Sequence, residues 1–348
     1  MGVRAIYAPA TPMVRQIAVD LPVLMLVGII FAVCSTTLFW IGVNPFRPSS
    51  YLSNLVLYTI CWGGFELYPF VRRLFIDRPE SPFRFLAQYA PSRLPILIHG
   101  LPLVIALVVF MPMFSAMKSA IPLFTQYTWD QTFIYADRVL FGTDPWRILQ
   151  PVLGHPIITS AISLAYHGWF LLIYAGCTYF AAYVTDEALR RRFFLCFFGT
   201  WTICGIAMAI GFASVGPCFT YPLLGIHTFD AQMEYLHRAN DRFPILVLQV
   251  QARLLAWHQS GQHGLGRGIT AMPSMHVALA TLFWLAVRHV SKRAGYFFAV
   301  FLAVIFIGSV HLAYHYAVDG IVAAGVTIAL WQLGRLLGRE PAPAAPAV

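Results

Sequence analysis

Two short histidine-containing segments in the C-terminal third of the chain carry residue types that suit phosphoryl transfer. They are residues 273–276, Pro-Ser-Met-His, and residues 315–319, His-Tyr-Ala-Val-Asp. His315 and Asp319 are four positions apart, so a continuing helix would place them on one face. A carboxylate there can accept the proton of one imidazole nitrogen and leave the other nitrogen free to attack phosphorus. The spacing therefore predicts a histidine nucleophile oriented by an aspartate.

The first segment can supply the other groups that such a reaction needs. His276 can protonate a leaving oxygen. Ser274 and the free N–H groups at the start of a helix can hold phosphate oxygens, because helix N-termini favour anions. Arg267 can bind phosphate through a bidentate contact or be a solvated loop residue, and the sequence leaves both interpretations open. We predict that His276, His315 and Asp319 are catalytic, and that Ser274 and Arg267 bind substrate.

Simpler interpretations exist for the same histidines. His311, His315 and Asp319 recur at steps of four and could form a metal-binding face, although three such residues without an HExxH-like base are a weak metal signal. His311 is better explained as a packed side chain. An ionisable residue inside a membrane helix is a functional candidate by default. For His276 and His315, the agreement of two segments favours chemistry.

The composition of the chain indicates that a membrane surrounds these segments. Hydrophobic residues make up 59% of the 348 positions and charged residues only 11%, whereas about 25% are charged in an ordinary soluble domain. The net charge of +9 is spread between apolar runs, which is not the pattern of a nucleic-acid-binding face. The six cysteines form no CxxC pair, so neither a disulfide framework nor a zinc knuckle is indicated.

Eight segments are apolar enough to span a bilayer, which requires about 20 residues each. They cover residues 21–43, 52–75, 94–116, 157–183, 193–214, 274–290, 295–312 and 319–337. The sixth and seventh are separated only by residues 291–294, which predicts a tight helical hairpin. We therefore predict an all-α fold, a polytopic transmembrane helical bundle of about eight helices with a six-helix catalytic core.

The chain divides into three predicted parts. Residues 1–93 form an N-terminal segment with two transmembrane helices, and residues 94–338 form the catalytic membrane domain. Residues 339–348 form a tail that is expected to be disordered. After Glu340 this tail contains only proline, alanine and valine, which cannot bury a core.

Basic residues predict the orientation in the membrane. If the N-terminus lies inside, the inside segments contain 15 of the 23 basic residues, mostly in short loops, as the positive-inside rule requires. Both histidine segments then lie at the outer face, because the hairpin between them enters the membrane and returns. Residues about 40 positions apart can thus meet at one site.

Two long segments, residues 117–156 and 215–273, lie outside on this topology. The first mixes aromatic and charged residues, as interfacial helices do, and long loops often carry function. Asp130 and Asp137 are expected to be capping or loop residues, and Glu66 in the second span is expected to snorkel or pair with another helix. One or two arginines of these segments are expected to bind phosphate. The candidates are Arg138, Arg147, Arg238, Arg242 and Arg253.

The two histidine segments resemble the signature motifs of a known family. Pro-Ser-x-His at 273–276, followed about 40 residues later by His-x-x-x-Asp at 315–319, is similar to the second and third motifs of the type-2 phosphatidic acid phosphatase superfamily. The resemblance implies that His315 forms a phosphohistidine, that Asp319 assists it, and that His276 is the acid for the leaving group. It also implies that no metal or other cofactor takes part.

The chain departs from this family at the positions that usually bind phosphate. Gly308 and Ser309 occupy the places of a Ser-Arg pair, and the first motif, a Lys followed by Arg-Pro, is missing. The pattern is closer to the branch that includes inositol phosphorylceramide synthases, which similarly has His-Tyr-x-Val-Asp. Residues 137–146 and the Gly216-Pro217 turn also resemble that branch. This likeness implies transfer of a phosphorylated headgroup between lipids.

We therefore expect an integral membrane lipid phosphatase/phosphotransferase that takes a lipid phosphate donor and passes the headgroup to a lipid alcohol such as a ceramide. Simple hydrolysis of phosphatidate or a polyprenyl diphosphate is the alternative. A lipid transporter is a third possibility, which predicts broken helices and an inverted repeat. No repeat is found, although Pro and Gly interrupt the third span. The expected location is a bacterial cytoplasmic membrane, with the active site on the periplasmic side.

Overall fold

A computed structural model describes residues 12–261 and 268–337 of the chain. Within these ranges the chain forms helices and no β-strand. Arg267, which we predicted to bind substrate, and the predicted disordered tail at 339–348 lie outside the described residues.

Fifteen α-helices run through the described ranges. The first seven are α1 (Pro12–Trp40), α2 (Pro48–Asp77), α3 (Pro82–Ser92), α4 (Leu94–Ser119), α5 (Asp130–Phe141), α6 (Pro145–Leu153) and α7 (Pro156–Ala182). The others are α8 (Glu187–Thr202), α9 (Ala209–Gly211), α10 (Thr220–Leu224), α11 (Asp230–Asn240), α12 (Leu246–Gln259), α13 (Met275–Val290), α14 (Lys292–His311) and α15 (Ala317–Leu337). A π-helical segment, Ile203–Met208, joins α8 to α9.

Several helix boundaries follow directly from proline. Proline at the first helical position has no N–H to leave unpaired and has a backbone angle that suits the helix. The helices α2, α3, α6 and α7 begin in this way, at Pro48, Pro82, Pro145 and Pro156. Inside α4, by contrast, Pro102 and Pro112 do not end the helix, which continues from Leu94 to Ser119. The interruption that kept the transporter interpretation open is therefore not a break in that helix.

Eight helical units of the fold correspond to the eight predicted spans, and the predicted polytopic helical bundle is confirmed. Six of them are long and apolar enough to cross a membrane: α1, α4, α7, the continuous unit Glu187–Gly211, α14 and α15. The other two differ from the prediction for separate reasons. The helix α13 is apolar but has only 16 residues, and α2 has 30 residues but is interrupted by polar ones such as Asn54 and Glu66.

The surface of the bundle is apolar, as a lipid-facing surface must be. Along α1, for example, Met25, Ile29 and Val33 follow one another at four-residue steps and are 57%, 60% and 60% exposed. In a soluble protein a stripe of this kind would be a liability. Together with the six apolar helices, it fits an integral membrane protein.

The predicted hairpin of the sixth and seventh spans is present. The helix α13 packs along α14, and the turn between them is capped by Ser291, whose hydroxyl accepts the N–H of Ala294. Gly295 allows the close approach, since a Cβ at this position would lie 2.8 Å from the Cβ of Arg288. The helix α15 packs on both helices of the hairpin and on α8.

The N-terminal helix α1 is tied to the rest of the bundle by a buried ion pair. Arg190 of α8 donates to both carboxylate oxygens of Asp20 and to the backbone carbonyls of Ala181 and His99. The side chains of Asp20 and Arg190 are 3% and 1% exposed. Buried charges persist only when they are paired and hydrogen-bonded in this way. Nothing in this packing fixes a domain boundary at residue 93, which stays a prediction.

A second ion pair, nearer the surface, involves the carboxylate predicted to snorkel or pair within the second span. Glu66 accepts from the guanidinium of Arg93 at 2.6 Å and from the hydroxyl of Tyr183 at 2.5 Å. The contacts join α2 to the start of α4 and to the residue after α7. Glu66 is therefore paired with neighbouring segments.

Candidate active site

The loop between α14 and α15 carries His315. It is a tight turn, because the N–H groups of Tyr314 and His315 both donate to the carbonyl of Ser309 at 3.0 Å. Ala313 adopts φ +60°, a left-handed conformation that residues other than glycine rarely take. The turn breaks the helix just before the histidine. His315 therefore lies outside both helices, at the end of a strained loop.

The carboxylate of Asp319 reaches back from the first turn of α15 to this loop. Its Oδ2 lies 3.2 Å from Nδ1 of His315 and accepts the N–H of Tyr316 at 3.1 Å. Asp319 is fully buried. The spacing predicted that one continuous helix brings the pair together, but His315 precedes α15 by two residues. The contact forms because Asp319 lies in the first turn of α15, next to the loop. The Nε2 atom of His315 is the nitrogen that this contact leaves free.

His276 lies in the first turn of α13, and its ring faces the nucleophile candidate. The ring centroids of His276 and His315 are 6.3 Å apart. The His276 ring stacks against Tyr166 and Trp169, with both centroid distances 4.1 Å. The indole N–H of Trp169 also donates to the backbone carbonyl of His276 at 3.1 Å. These ring contacts and the indole hydrogen bond fix the position of the imidazole.

Ser274 joins the two histidine segments. Its hydroxyl is the N-cap of α13 and accepts the N–H of Val277 at 3.5 Å, while its own N–H donates to the backbone carbonyl of Asp319 at 3.2 Å. The serine is fully buried. Its hydroxyl hydrogen has no acceptor among the described residues.

Asp137 holds the other side of the site, in a way that the sequence did not indicate. It caps α15 across 180 positions, because its carboxylate accepts the N–H groups of Ala317 and Val318, both at 2.8 Å. The expectation of a capping residue was correct, although the helix it caps is not its own. Burial raises the pKa of Asp137 to about 6, against the opposing effect of the two N–H donors. The first turn of α15 is thereby anchored to α5.

Asp130 lies seven residues before Asp137, at the start of α5, and it anchors the loop that carries His315. It accepts the hydroxyl of Tyr316 at 2.7 Å and the N–H groups of Val215 and Gly216 at 3.0 Å. Burial raises its pKa, while these donors lower it. Gly216 has φ +86°, and a Cβ there would lie 2.5 Å from the carbonyl oxygen of Tyr314. Only glycine allows this turn to pack against the His315 loop.

A cation near the site comes from α4 and is not among the residues predicted from sequence. Lys118 is half-buried in the last turn of α4 and close enough to interact electrostatically with His276. Phe114, one turn earlier on the same face, packs edge-on against Trp201 with centroids 4.4 Å apart. Within the described ranges, the ammonium of Lys118 has no ion pair.

The backbone beside Lys118 also meets the first histidine segment. Gly268 has φ +100°, and a Cβ at this position would lie 2.9 Å from the carbonyl oxygen of Lys118. The chain leading to α13 therefore packs directly on the end of α4.

Lys118 could have been found from sequence alone. A single cation at the end of an apolar segment is a candidate functional residue, because an unpaired charge in a membrane helix is unfavourable.

The arginines proposed from sequence are mostly engaged elsewhere. Arg138 and Arg147 both pair with Asp144, at 2.6 and 3.3 Å. Arg238 pairs with Glu234 at 3.1 Å in the exposed face of α11. Arg253 lies over the ring of Trp257. None of these contacts brings an arginine to His276 or His315.

His311 belongs to a separate network. Its Nε2 lies 2.9 Å from the hydroxyl of Thr159, which in turn lies 2.7 Å from the hydroxyl of Tyr235. The metal face formed by steps of four requires one helix through residues 311–319, whereas α14 ends at His311 and α15 begins at Ala317. Among the described residues no group of three or more His, Cys, Asp or Glu side chains is placed to hold a metal.

One of three comparisons with known proteins gives a match. A family model described as the PAP2 superfamily matches residues 131–333, which are 203 of the 348 positions. No curated protein and no solved structure matches the chain. The matched region contains His276, His315 and Asp319, and it excludes α1 to α4 and hence Lys118. The chain therefore belongs to the PAP2 superfamily.

Proposed function

We propose that this protein is a membrane lipid phosphotransferase that works through a phosphohistidine on His315, with headgroup transfer to a lipid alcohol as its reaction. Membership of the PAP2 superfamily and six apolar helices support a membrane phosphatase-type function. The observation that carries the proposal is the arrangement of His315 on the carboxylate of Asp319, with the ring of His276 6.3 Å away. Geometry of this kind allows one ring to attack while the other moves a proton.

In the first step, Nε2 of His315 attacks the phosphorus of the donor lipid. A nitrogen–phosphorus bond forms, and the bond from phosphorus to the leaving oxygen breaks. His276 gives its proton to that oxygen, so that an alcohol departs. Asp319 holds the Nδ1 proton of His315 and stabilises the positive charge that grows on the ring. The step requires no oxidant or other reactant.

In the second step, the acceptor alcohol attacks the phosphohistidine. Its proton passes to His276, its oxygen bonds to phosphorus, and the nitrogen–phosphorus bond breaks, which restores both histidines. If water attacks instead, the same step releases the phosphorylated headgroup. The departures at Gly308 and Ser309, together with the His-Tyr-x-Val-Asp pattern, support an alcohol as acceptor.

Lys118 is our proposal for the cation that neutralises the phosphoryl oxygens. Phosphoryl transfer depends mainly on fixed charges and dipoles around those oxygens. The usual arginine is replaced by Ser309, and four of the arginines proposed from sequence contact other groups, namely Arg138, Arg147, Arg238 and Arg253. Lys118 comes from a helix that precedes the family region, and its position near His276 supports this role. The N–H groups at the start of α13 and the hydroxyl of Ser274 would add uncharged donors.

We also propose that the site faces the outer side of a bacterial cytoplasmic membrane. The distribution of basic residues supports this orientation, and the outer ends of α13 to α15 carry the reactive residues. Accessibility of a cysteine introduced at exposed Asp241 to an impermeant thiol reagent, applied to sealed cells, would test it. Labelling only after lysis would contradict the orientation.

The test of function is product formation by the purified protein in detergent micelles. Labelled phosphatidate, a polyprenyl diphosphate and phosphatidylinositol would each be offered with and without ceramide or diacylglycerol, in EDTA, beside the His315→Ala variant. Product that survives EDTA and is lost in the variant supports the histidine mechanism. Dependence on the added alcohol distinguishes transfer from hydrolysis. Turnover that survives loss of His315 would contradict the proposal.

A further inference from the structure

The end of α14 is buried immediately before the loop that carries His315. His311, Leu312 and Ala313 are at most 1% exposed. A helix leaves its last carbonyls without partners of its own, and a buried carbonyl needs a donor from elsewhere in the protein. The donors at this helix end therefore show which part of the chain holds the loop in place.

Two glutamine side chains supply most of these donors. Gln232 of α11 donates from Nε2 to the carbonyls of Val310 and His311, at 2.8 and 3.1 Å. Gln251 of α12 donates from Nε2 to the carbonyl of Leu312 at 2.9 Å. Three successive carbonyls at the end of α14 are thus bonded to two helices that lie outside the histidine motifs.

The residue that follows is strained and is also held from outside. Ala313 adopts φ +60°, a conformation that favours glycine, and its carbonyl accepts the N–H of Cys218 at 2.8 Å. Another residue keeps such a conformation only where the surrounding contacts over-determine it. His315 follows two residues later, so the position of its ring depends on the backbone geometry that these contacts impose.

Burying the two glutamines is unfavourable by itself. Gln232 and Gln251 are 1% and 4% exposed, and their Oε1 atoms have no hydrogen-bond partner among the residues described. A buried acceptor without a donor destabilises a protein. A methionine of similar length would avoid this loss but would leave the carbonyls of α14 unpaired. The contacts made by the two amide nitrogens are therefore the reason for glutamine at both positions.

We propose that Gln232 and Gln251 are positioning residues for the proposed reaction. Their amide nitrogens hold the end of α14 in the geometry from which Nε2 of His315 attacks phosphorus. Each acts through the backbone of residues 310–312, which precede His315 by three to five positions. The inference rests on the proposed phosphohistidine reaction, but the holding of the loop can be measured without turnover.

Hydrogen–deuterium exchange of the purified protein in micelles tests whether the amides hold the loop. Gln232→Met and Gln251→Met keep the approximate length of the side chain and remove its donor. The N–H groups of Tyr314 and His315, which donate to the carbonyl of Ser309, are followed by mass spectrometry of the loop peptide. They should exchange about three- to tenfold faster in each variant, as loss of one buried hydrogen bond predicts.

Asn54→Leu is the matched control. Like Gln232, Asn54 is a buried amide whose nitrogen donates to two successive helix carbonyls, those of Leu107 and Val108 in α4, both at 3.2 Å. These carbonyls lie about three helical turns before Lys118. The control variant should lower the melting temperature, whereas exchange of the His315 loop and turnover per folded molecule should stay unchanged.

Turnover separates positioning from a purely structural role. Labelled phosphatidate, a polyprenyl diphosphate and phosphatidylinositol are each offered with diacylglycerol or ceramide, and rates are expressed per folded molecule. We expect kcat to fall at least about tenfold in both glutamine variants, because the attack geometry is lost. KM for the donor should stay within about twofold, because neither glutamine binds the donor. A purely structural role would lower only the folded fraction.

Unchanged exchange of the loop in both glutamine variants would overturn the inference. An unchanged kcat per folded molecule, or an equal fall in Asn54→Leu, would overturn it as well. Failure of the wild-type protein to turn over any donor would instead contradict the proposed function. In that case the exchange result would still decide whether the two amides hold the loop.

Discussion

Two buried polar clusters in this protein differ in how completely their polar atoms are hydrogen-bonded. At the end of the bundle where α1 and α8 meet, Asp20 and Arg190 satisfy one another and the carbonyls around them. At the candidate active site, the buried carboxylate of Asp319 is only partly satisfied, because its Oδ1 has no hydrogen-bond partner among the described residues. Complete pairing stabilises a fold. A buried polar atom left unpaired needs a physical reason, and a role in chemistry is the reason we propose for Asp319.

Loss of the nucleophile candidate should give the largest effect. His315→Ala removes the nitrogen that we propose bonds phosphorus, and turnover should fall about 10⁴-fold or more, as for other covalent catalysts. The melting temperature should fall moderately, because the ring is buried and its loss leaves the carboxylate of Asp319 without its side-chain partner. Initial rates per folded molecule and thermal unfolding on the same preparation check both parts. Unchanged turnover per folded molecule would place His315 with the structural cluster.

The opposite result is expected at the other cluster. Asp20→Ala leaves Arg190 buried without a counter-charge, which typically destabilises a protein by about 3–5 kcal/mol. Turnover per folded molecule should stay within about twofold, since the cluster touches no reactive group. Asp20→Ala paired with Arg190→Met should recover part of the stability. Loss of specific activity in the folded fraction would show that the two clusters are coupled.

Lys118 should behave as a member of the catalytic cluster. Lys118→Met keeps the length of the side chain but removes its charge, and kcat/KM should fall about 10²–10³-fold, as for loss of one electrostatic donor to the transition state. Lys292→Met, at the exposed start of α14, is the matched control and should change nothing. Equal rates for both variants would remove Lys118 from the site.

Asp137 predicts a dependence of stability on pH. Its pKa is raised by burial to about 6, above the unfolded value of about 3.9. The folded state therefore keeps a proton that the unfolded state has lost between these values. Stability from this group is present at low pH and declines by at most about 3 kcal/mol as the pH rises from 4 to 6.

Unfolding of the wild type and of Asp137→Asn across pH 4 to 7.5 would measure this effect. The variant cannot titrate and should lose the decline. An identical profile in both proteins would mean that other carboxylates control the slope. The variant should also turn over more slowly at all pH values, because a neutral amide accepts only one of the N–H groups of Ala317 and Val318.

The smallest effect is expected on the surface. The pair of Arg238 and Glu234 is more than 60% exposed on both sides, and exposed pairs contribute about 0–1 kcal/mol. Arg238→Ala should leave stability and turnover nearly unchanged. A marked loss of activity would revive the sequence-based proposal that this arginine binds phosphate.

Local patterns predicted the bundle well but missed its long-range contacts. Apolar length placed α4, α7 and α13 to α15 to within a few residues, and the topology of the hairpin predicted that His276 and His315 meet. Asp137 caps α15 from 180 positions away. The spacing of apolar residues along a chain describes only local structure, so it cannot predict such a contact. The sequence predicts a long loop over residues 215–273, whereas the structure has α10, α11 and α12 there. These helices are short and only partly apolar, so a search for long apolar segments does not find them.

The central claim is that His315 carries the phosphoryl group. The most direct test is to mix the His276→Ala protein with phosphorus-labelled donor lipid, quench in base, and locate the label by mass spectrometry. With no acceptor alcohol added, and without the base that would activate water, the second step should be slower than the first, so an intermediate can accumulate. We expect a base-stable, acid-labile phosphate on His315. A label on another residue, or none under conditions where product still forms, would contradict it.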